Sequence, residues 1–269
     1  SQETADDINT NHRNSKYLGD EVELADTLRA TTDFTEAAEC ADVIVMGVPS
    51  HGFRGVLTEL ATQLRPWVPV VSLVKGLEQG TNYRMSQIVD EILPGHPAGI
   101  LAGPNIAREV ADGYAAAAVL AMPDQHLAAN LAGLFRTKRF RTYTTDDVCG
   151  VEMAGALKNV YAIAVGMGFA LGIGENTRAM VMARAVAEMS KLGVAMGGNR
   201  DTFAGLAGMG DLLGRQGRGG AEPHAPRLRR DPAGARALVD QAALELGNAG
   251  EEGQHHAPRR RRGIGPRLG

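Results

Sequence analysis

A lysine and an asparagine interrupt a small-residue apolar pattern, Ala154-Gly155-Ala156-Leu157-Lys158-Asn159-Val160, inside a predicted helix over Val151–Leu171. A lysine buried there without a partner is costly while it stays charged. Two outcomes fit the pattern. The stem snorkels to the surface, which is the commoner fate of a lone lysine. Alternatively, the ammonium faces a polar cavity that uses it. In that case desolvation disfavours the charged form and lowers the pKa, so the amine can give and take a proton near neutral pH.

Other polar words fall at the ends of apolar runs. Asp42-Val43-Ile44-Val45-Met46-Gly47-Val48 is stopped by Pro49-Ser50-His51. Val70-Val71-Ser72-Leu73-Val74 runs directly into Lys75-Gly76, and Gly99-Ile100-Leu101-Ala102 into Gly103-Pro104-Asn105. Continuous apolar runs of this kind read as buried parallel strands. Ligands bind beyond the carboxyl ends of such strands. Gly and Pro also punctuate ordinary turns, but that does not account for a lysine directly after a buried strand. Asp211, at the end of the glycine-rich Gly205-Leu206-Ala207-Gly208-Met209-Gly210, is either a helix-terminal carboxylate or a site carboxylate. His51 has no orienting carboxylate nearby in sequence and reads as a strand-end residue.

The elements that must position these residues alternate. Predicted helices are 33–41, capped by Asp33 or Thr35, then 53–64, 85–93 and 127–135. They separate strands near 42–49, 70–74, 99–102, 115–122 and 140–143. Residues 1–30 read as a helix end followed by a loop. The alternation predicts an α/β fold with a doubly wound parallel sheet. After Asp147 it stops: 151–171, 176–193 (Asn176 as N-cap) and 201–213 read as helices without strands between them. The expected organisation is a sheet domain over 1–147, the start of an all-helical domain over 148–213, and a low-complexity tail over 214–269.

The 269 residues carry a formal charge of −3, which gives no case for a nucleic-acid or membrane partner. No run approaches eighteen consecutive apolar residues, so no spanning helix is expected. Cys40 and Cys149 fit neither a zinc pattern nor a disulfide framework. Without a signal peptide pattern the expected location is cytoplasmic. The average conceals a break: residues 214–269 hold eleven arginines, no lysine and no aromatic, at +5, against −8 for the preceding 213. That segment is expected to be disordered, and its composition suggests a reading frame translated out of phase.

Val74-Lys75-Gly76-Leu77-Glu78, Gly103-Pro104-Asn105-Ile106-Ala107-Arg108-Glu109, Ala156-Leu157-Lys158-Asn159-Val160, Gly174-Glu175-Asn176-Thr177 and Gly205-Leu206-Ala207-Gly208-Met209-Gly210-Asp211-Leu212 occur in this order. Together they resemble the bacterial-type NAD(P)-dependent glycerol-3-phosphate dehydrogenases, over roughly residues 5 to 213. The resemblance makes 1–147 a partial dinucleotide-binding domain and 148–213 the start of a substrate domain, and it implies hydride transfer between NAD(P)H and dihydroxyacetone phosphate, giving sn-glycerol 3-phosphate for phospholipid synthesis. It makes Lys158 the proton donor to the ketone oxygen. Lys75, Gly103, Asn105, Asn159 and Asp211 would bind the substrate, and Pro49, Lys75 and Ala107 would meet NAD or NADP. The implied partner is a small phosphorylated substrate, with no metal and a homodimer as the candidate assembly.

Two family features are missing from the sequence. The strand–GxGxxG–helix unit that cradles a pyrophosphate does not precede Asp42, which points to a truncated gene model with exposed strand edges. The Ser-Arg-Asn-Arg run expected after Gly-Asp-Leu is replaced by Gly214-Arg215-Gln216-Gly217-Arg218. The competing readings are a non-catalytic degraded copy, another lysine-dependent β-hydroxyacid-type dehydrogenase, and a nucleic-acid binder acting through the basic tail.

Overall fold

Five strands form one sheet in sequence order: β1 (Ile44–Met46), β2 (Val70–Ser72), β3 (Ala98–Ala102), β4 (Ala116–Ala121) and β5 (Phe140–Thr145). The computed structural model describes residues 1–214, and the expected tail lies outside the described residues. β1, β2 and β3 are parallel, in the register Ile44–Val70–Ala98. Every residue of β2 and β3 is buried, as the apolar runs required. The expectation of an all-parallel sheet fails at one seam. β4 pairs antiparallel with β3, Ala102 opposite Val119, and β5 then runs parallel to β4. The reversal follows from the connection. Between β3 and β4 the chain forms only the short helix α6 (Ala107–Ala111), ~7.5 Å long, which does not carry the chain back along the ~16 Å of β3.

The earlier helices are α1 (Gln2–Asn11), α2 (Ser15–Leu18), α3 (Phe34–Ala38), α4 (Ser50–Ala61) and α5 (Met85–Ile92), and α7 (Gln125–Phe135) joins β4 to β5. Asp33 caps α3, accepting from the backbone N–H of Thr35 at 2.8 Å, and Asp124 caps α7 through His126 at 2.7 Å. One face of the sheet packs α3, α4 and α5 around Phe53, Leu57, Met85 and Ile88. Leu101, Leu120, Met122 and Leu131 form a second core with α7. β1 is an outer strand, and its Val45 is 41% exposed.

Beyond β5 come α8 (Val148–Ala170), α9 (Glu175–Ala195) and α10 (Arg200–Ala204). A π-helical turn (Leu206–Gly210) and α11 (Asp211–Gly214) follow. Two boundaries differ from expectation. Gly174, not Asn176, is the N-cap of α9. The helix expected over 201–213 breaks at Gly205, where three glycines within six residues weaken helical continuity. A side chain at Gly208 would strike the backbone of Phe203. By length and composition Val148–Gly168 is apolar enough to cross a membrane, with a mean hydropathy of 1.3. Counting consecutive apolar residues missed it, because Glu152 and Lys158 interrupt the run. Both are buried in polar pairings inside the protein, which marks a core helix. α8 packs on β3, α9 and the π turn, and all described residues belong to one compact unit.

Candidate active site

Lys158 is fully buried near the middle of α8, 0% exposed. Among the buried polar residues it is joined by Asp211, at 3%. Lys75 leaves the end of β2 and crosses α8 at Gly155, where a Cβ would stand 3.6 Å from Lys75 Cγ. Its ammonium donates to Asp211 Oδ2 at 2.6 Å, to the Gly103 carbonyl at 2.8 Å and to Asn105 Oδ1 at 3.1 Å. Those three bonds use all of its protons.

Lys158 Nζ meets the same Asp211 oxygen in an ion pair. The contact lacks hydrogen-bond geometry, and among the described residues the ammonium has no aligned acceptor. Two cations therefore share one carboxylate, and the buried one keeps donor capacity. Burial pushes the Lys158 ammonium down from 10.5 to about 8, and Lys75 pushes the same way, while Asp211 opposes both. Of the two outcomes for Lys158, the surface stem is excluded.

Local chemistry explains how distant segments meet. The π turn places Asp211 at its C-terminal end, buried, at the start of α11. Gly103 has φ +152, and a Cβ there would stand 2.9 Å from the Ala117 carbonyl, so the chain leaves β3 at a position that favours glycine. Its carbonyl also accepts from the Asn105 N–H at 2.9 Å, which fixes that turn. Asn159 does not enter the ion cluster. Its Nδ2 donates to the Lys75 carbonyl at 3.1 Å and so ties α8 to the end of β2. Pro49, the N-cap of α4, and Ala107, the first residue of α6, are both exposed. Ser50 approaches Gly76, with Oγ 3.4 Å from where a Cβ would stand.

Sequence reasoning passed over Glu152, which is 3% exposed on α8. It accepts from Arg84 Nη1 and Ser86 Oγ, both at 2.6 Å, and from the Ser86 backbone N–H at 2.8 Å. This pairing fastens α8 to the N-terminus of α5. The signal was available: Glu152 interrupts an apolar helix just as Lys158 does. Asp147 has a parallel role. It accepts from the N–H of Gly150 at the start of α8 and from the N–H of Asn199 at the start of α10, both at 2.8 Å.

The N-terminal model for NAD-dependent glycerol-3-phosphate dehydrogenases matches residues 1–128, and the C-terminal model matches residues 147–216. The chain belongs to the NAD-dependent glycerol-3-phosphate dehydrogenase family. A glycerol-3-phosphate dehydrogenase [NAD(P)+] of Mycobacterium avium is 83% identical over 213 residues, covering 79% of this chain and 62% of that relative. One of Acinetobacter baumannii (strain SDF) is 41% identical over 253 residues, covering 93% of this chain and 68% of that relative. The crystal structure of the Coxiella burnetii glycerol-3-phosphate dehydrogenase superposes with a TM-score of 0.74 at 29% identity, covering 94% of this chain and 78% of that one. The chain thus spans about three fifths of the length of the Mycobacterium relative.

The described residues suit one part of a dinucleotide. Pro49 opens α4 with no side-chain cap, which leaves N-terminal backbone N–H groups for an acceptor. Lys75 and Gly103 follow strands at the same edge. The glycine-rich strand–turn–helix that would hold the pyrophosphate does not occur among the described residues.

Proposed function

We propose that this chain carries the substrate half of a cytoplasmic oxidoreductase that interconverts dihydroxyacetone phosphate and sn-glycerol 3-phosphate with NAD(P), for phospholipid synthesis. The observation that supports it best is the Lys75–Asp211–Lys158 cluster, in which one carboxylate holds two ammonium groups from opposite parts of the chain. NAD(P)H, when bound, would supply the hydride, and Pro49, Lys75 and Ala107 would meet it.

Reduction of a ketone leaves negative charge on its oxygen. An ammonium with an unfilled donor direction stabilises that charge and can then deliver the proton. Lys158 has both properties: it is desolvated, and its pKa of about 8 lets it cycle between donor and base. Asp211 fixes the position of both lysines. Lys75, held by Gly103 and Asn105, adds a second positive charge for a phosphorylated substrate, and Asn159 sets its backbone. The net excess of one cation in the cluster suits a substrate that brings anionic charge. A homodimer is part of the same proposal.

The test is nicotinamide fluorescence titration of this chain, followed by NADH oxidation with dihydroxyacetone phosphate and with unphosphorylated dihydroxyacetone. Turnover that requires the phosphate supports the reading. Cofactor binding without turnover would mark a non-catalytic copy, and equal turnover of a phosphate-free hydroxyacid would indicate another dehydrogenase.

A further inference from the structure

Four cations, Arg136, Lys138, Arg139 and Arg141, crowd the turn between α7 and β5 and the first residues of β5, and all are exposed. Among the described residues none of them forms an ion pair with a carboxylate. Arg141 lies over the ring of Tyr143, 5.1 Å from its centroid. The four line one groove, and a second, more apolar groove shares Thr137, Lys138 and Arg139 with it. Tyr114 and Leu134 line that second groove and are 65% and 67% exposed. A basic surface is therefore continuous with an exposed apolar one.

The patch sits at a defined place. β4 runs antiparallel to β3 and Ala102 pairs with Val119, so Ala116 projects ~10 Å beyond the end of β3 at the usual rise per residue. The reversal that broke the all-parallel expectation thus brings this patch to the same sheet edge as Lys75 and Gly103. Cations on an outer strand also discourage strand addition. That accounts for Arg141 on β5 but not for Arg136, Lys138 and Arg139 in the turn, nor for the exposed Tyr114 and Leu134.

We propose that this patch docks the protein peripherally on an anionic phospholipid surface. The cations meet headgroup phosphates, while Tyr114 and Leu134 enter the interfacial layer. A nucleic acid would match the cations but would leave Leu134 without a partner phase. Docking in this orientation holds the carboxyl edge of the sheet near the bilayer.

The test is co-sedimentation of the full chain with vesicles of phosphatidylcholine alone or mixed with phosphatidylglycerol. Binding is expected only to the anionic vesicles and is stripped by high salt. Each surface cation contributes about fivefold to partitioning, so R136Q/K138Q/R139Q should lose binding by well over tenfold. R136K/R139K should retain it, and Y114A/L134A should show a smaller loss. The arginine run at 259–262 is a second possible source of charge, so R259A/R260A/R261A/R262A is included and is expected to bind as the parent does. No binding, equal binding to neutral vesicles, loss in the 259–262 variant with retention in the groove variant, or displacement by stoichiometric duplex DNA would each overturn the proposal.

Discussion

Two charge clusters in this molecule are near mirror images. In one, two ammonium groups share the Asp211 carboxylate behind a buried helix. In the other, one guanidinium serves two carboxylates at a half-exposed site: Arg54 reaches Glu78 at 2.7 Å and Glu91 at 2.9 Å. Both hold the segment that follows β2, the first at Lys75 and the second at Glu78. Their electrostatics differ because of solvent. At the surface the pairing strengthens both charged forms. The hydrogen bonds from Arg54 and Thr81 hold the Glu78 carboxyl down at about 2, and those same carboxylates raise the Arg54 guanidinium above its ordinary value. In the interior, desolvation outweighs the attraction of Asp211, and Lys158 moves toward its neutral form. A half-exposed cluster of this kind mainly fastens a loop. A buried one with a surplus cation creates a group poised to exchange a proton.

The contrast can be broken most sharply at Asp211. Asp211→Ala leaves two ammonium groups facing each other without a counter-charge, one of them fully buried, and should cost about 3–5 kcal/mol, the usual penalty for breaking a buried pair. Urea unfolding measures it, and an unchanged midpoint would mean that Asp211 does not hold the cluster. Lys158→Met should separate function from stability. Turnover with dihydroxyacetone phosphate should fall at least ~10²-fold, the scale of general acid catalysis. Stability should hold or rise, since an apolar residue of similar length replaces a desolvated charge; near-parental turnover would remove Lys158 from the mechanism.

The pH dependence follows from the same residue. Because Lys158 has a folded pKa of about 8, below its ordinary 10.5, the unfolded chain holds more protons between those values. Stability should therefore rise with pH across that window. Ketone reduction, which needs the protonated amine, should decline as pH passes about 8. Lys158→Met should lack the stability rise, which a pH series of thermal melts would reveal. The smallest effect belongs to the surface cluster. The contribution of Glu78 is present above its ordinary value of 4.5 and is lost as pH falls toward about 2. Arg54→Ala should remove that acid limb, with only a slight change in melting temperature at neutral pH that disappears in high salt.

Much of this was legible in the residues. The buried strands β2 and β3 announced themselves as unbroken apolar runs, and Lys75 and Gly103 followed at their ends because a parallel sheet puts its loops there. Lys158 stood out because a charge inside an apolar helix needs a reason. Glu152 carries the same mark, but a lone carboxylate in an apolar helix does not reveal that its partners, Arg84 and Ser86, come from a distant helix start. The antiparallel seam at β4 depends on the brevity of α6, a length that strand periodicity does not encode. The break at Gly205 escaped detection because apolar spacing continues through Leu206 and Leu212 while the backbone changes its winding. The geometry of Asn159, bonding a backbone carbonyl and not a ligand group, was equally invisible, because sequence spacing gives proximity without direction.

The π turn at Leu206–Gly210, wider in girth than an α turn, determines how such a carboxylate is aimed. A π turn holds one residue more per hydrogen-bonded loop than an α turn, and each residue advances a helix by about 100°. Removing one residue there would let the segment relax into ordinary winding and swing Asp211 around the axis, away from both amines. The aim of the carboxylate is thus set by chain length and not only by residue identity, so a one-codon deletion could disarm the centre while leaving every functional side chain in the gene.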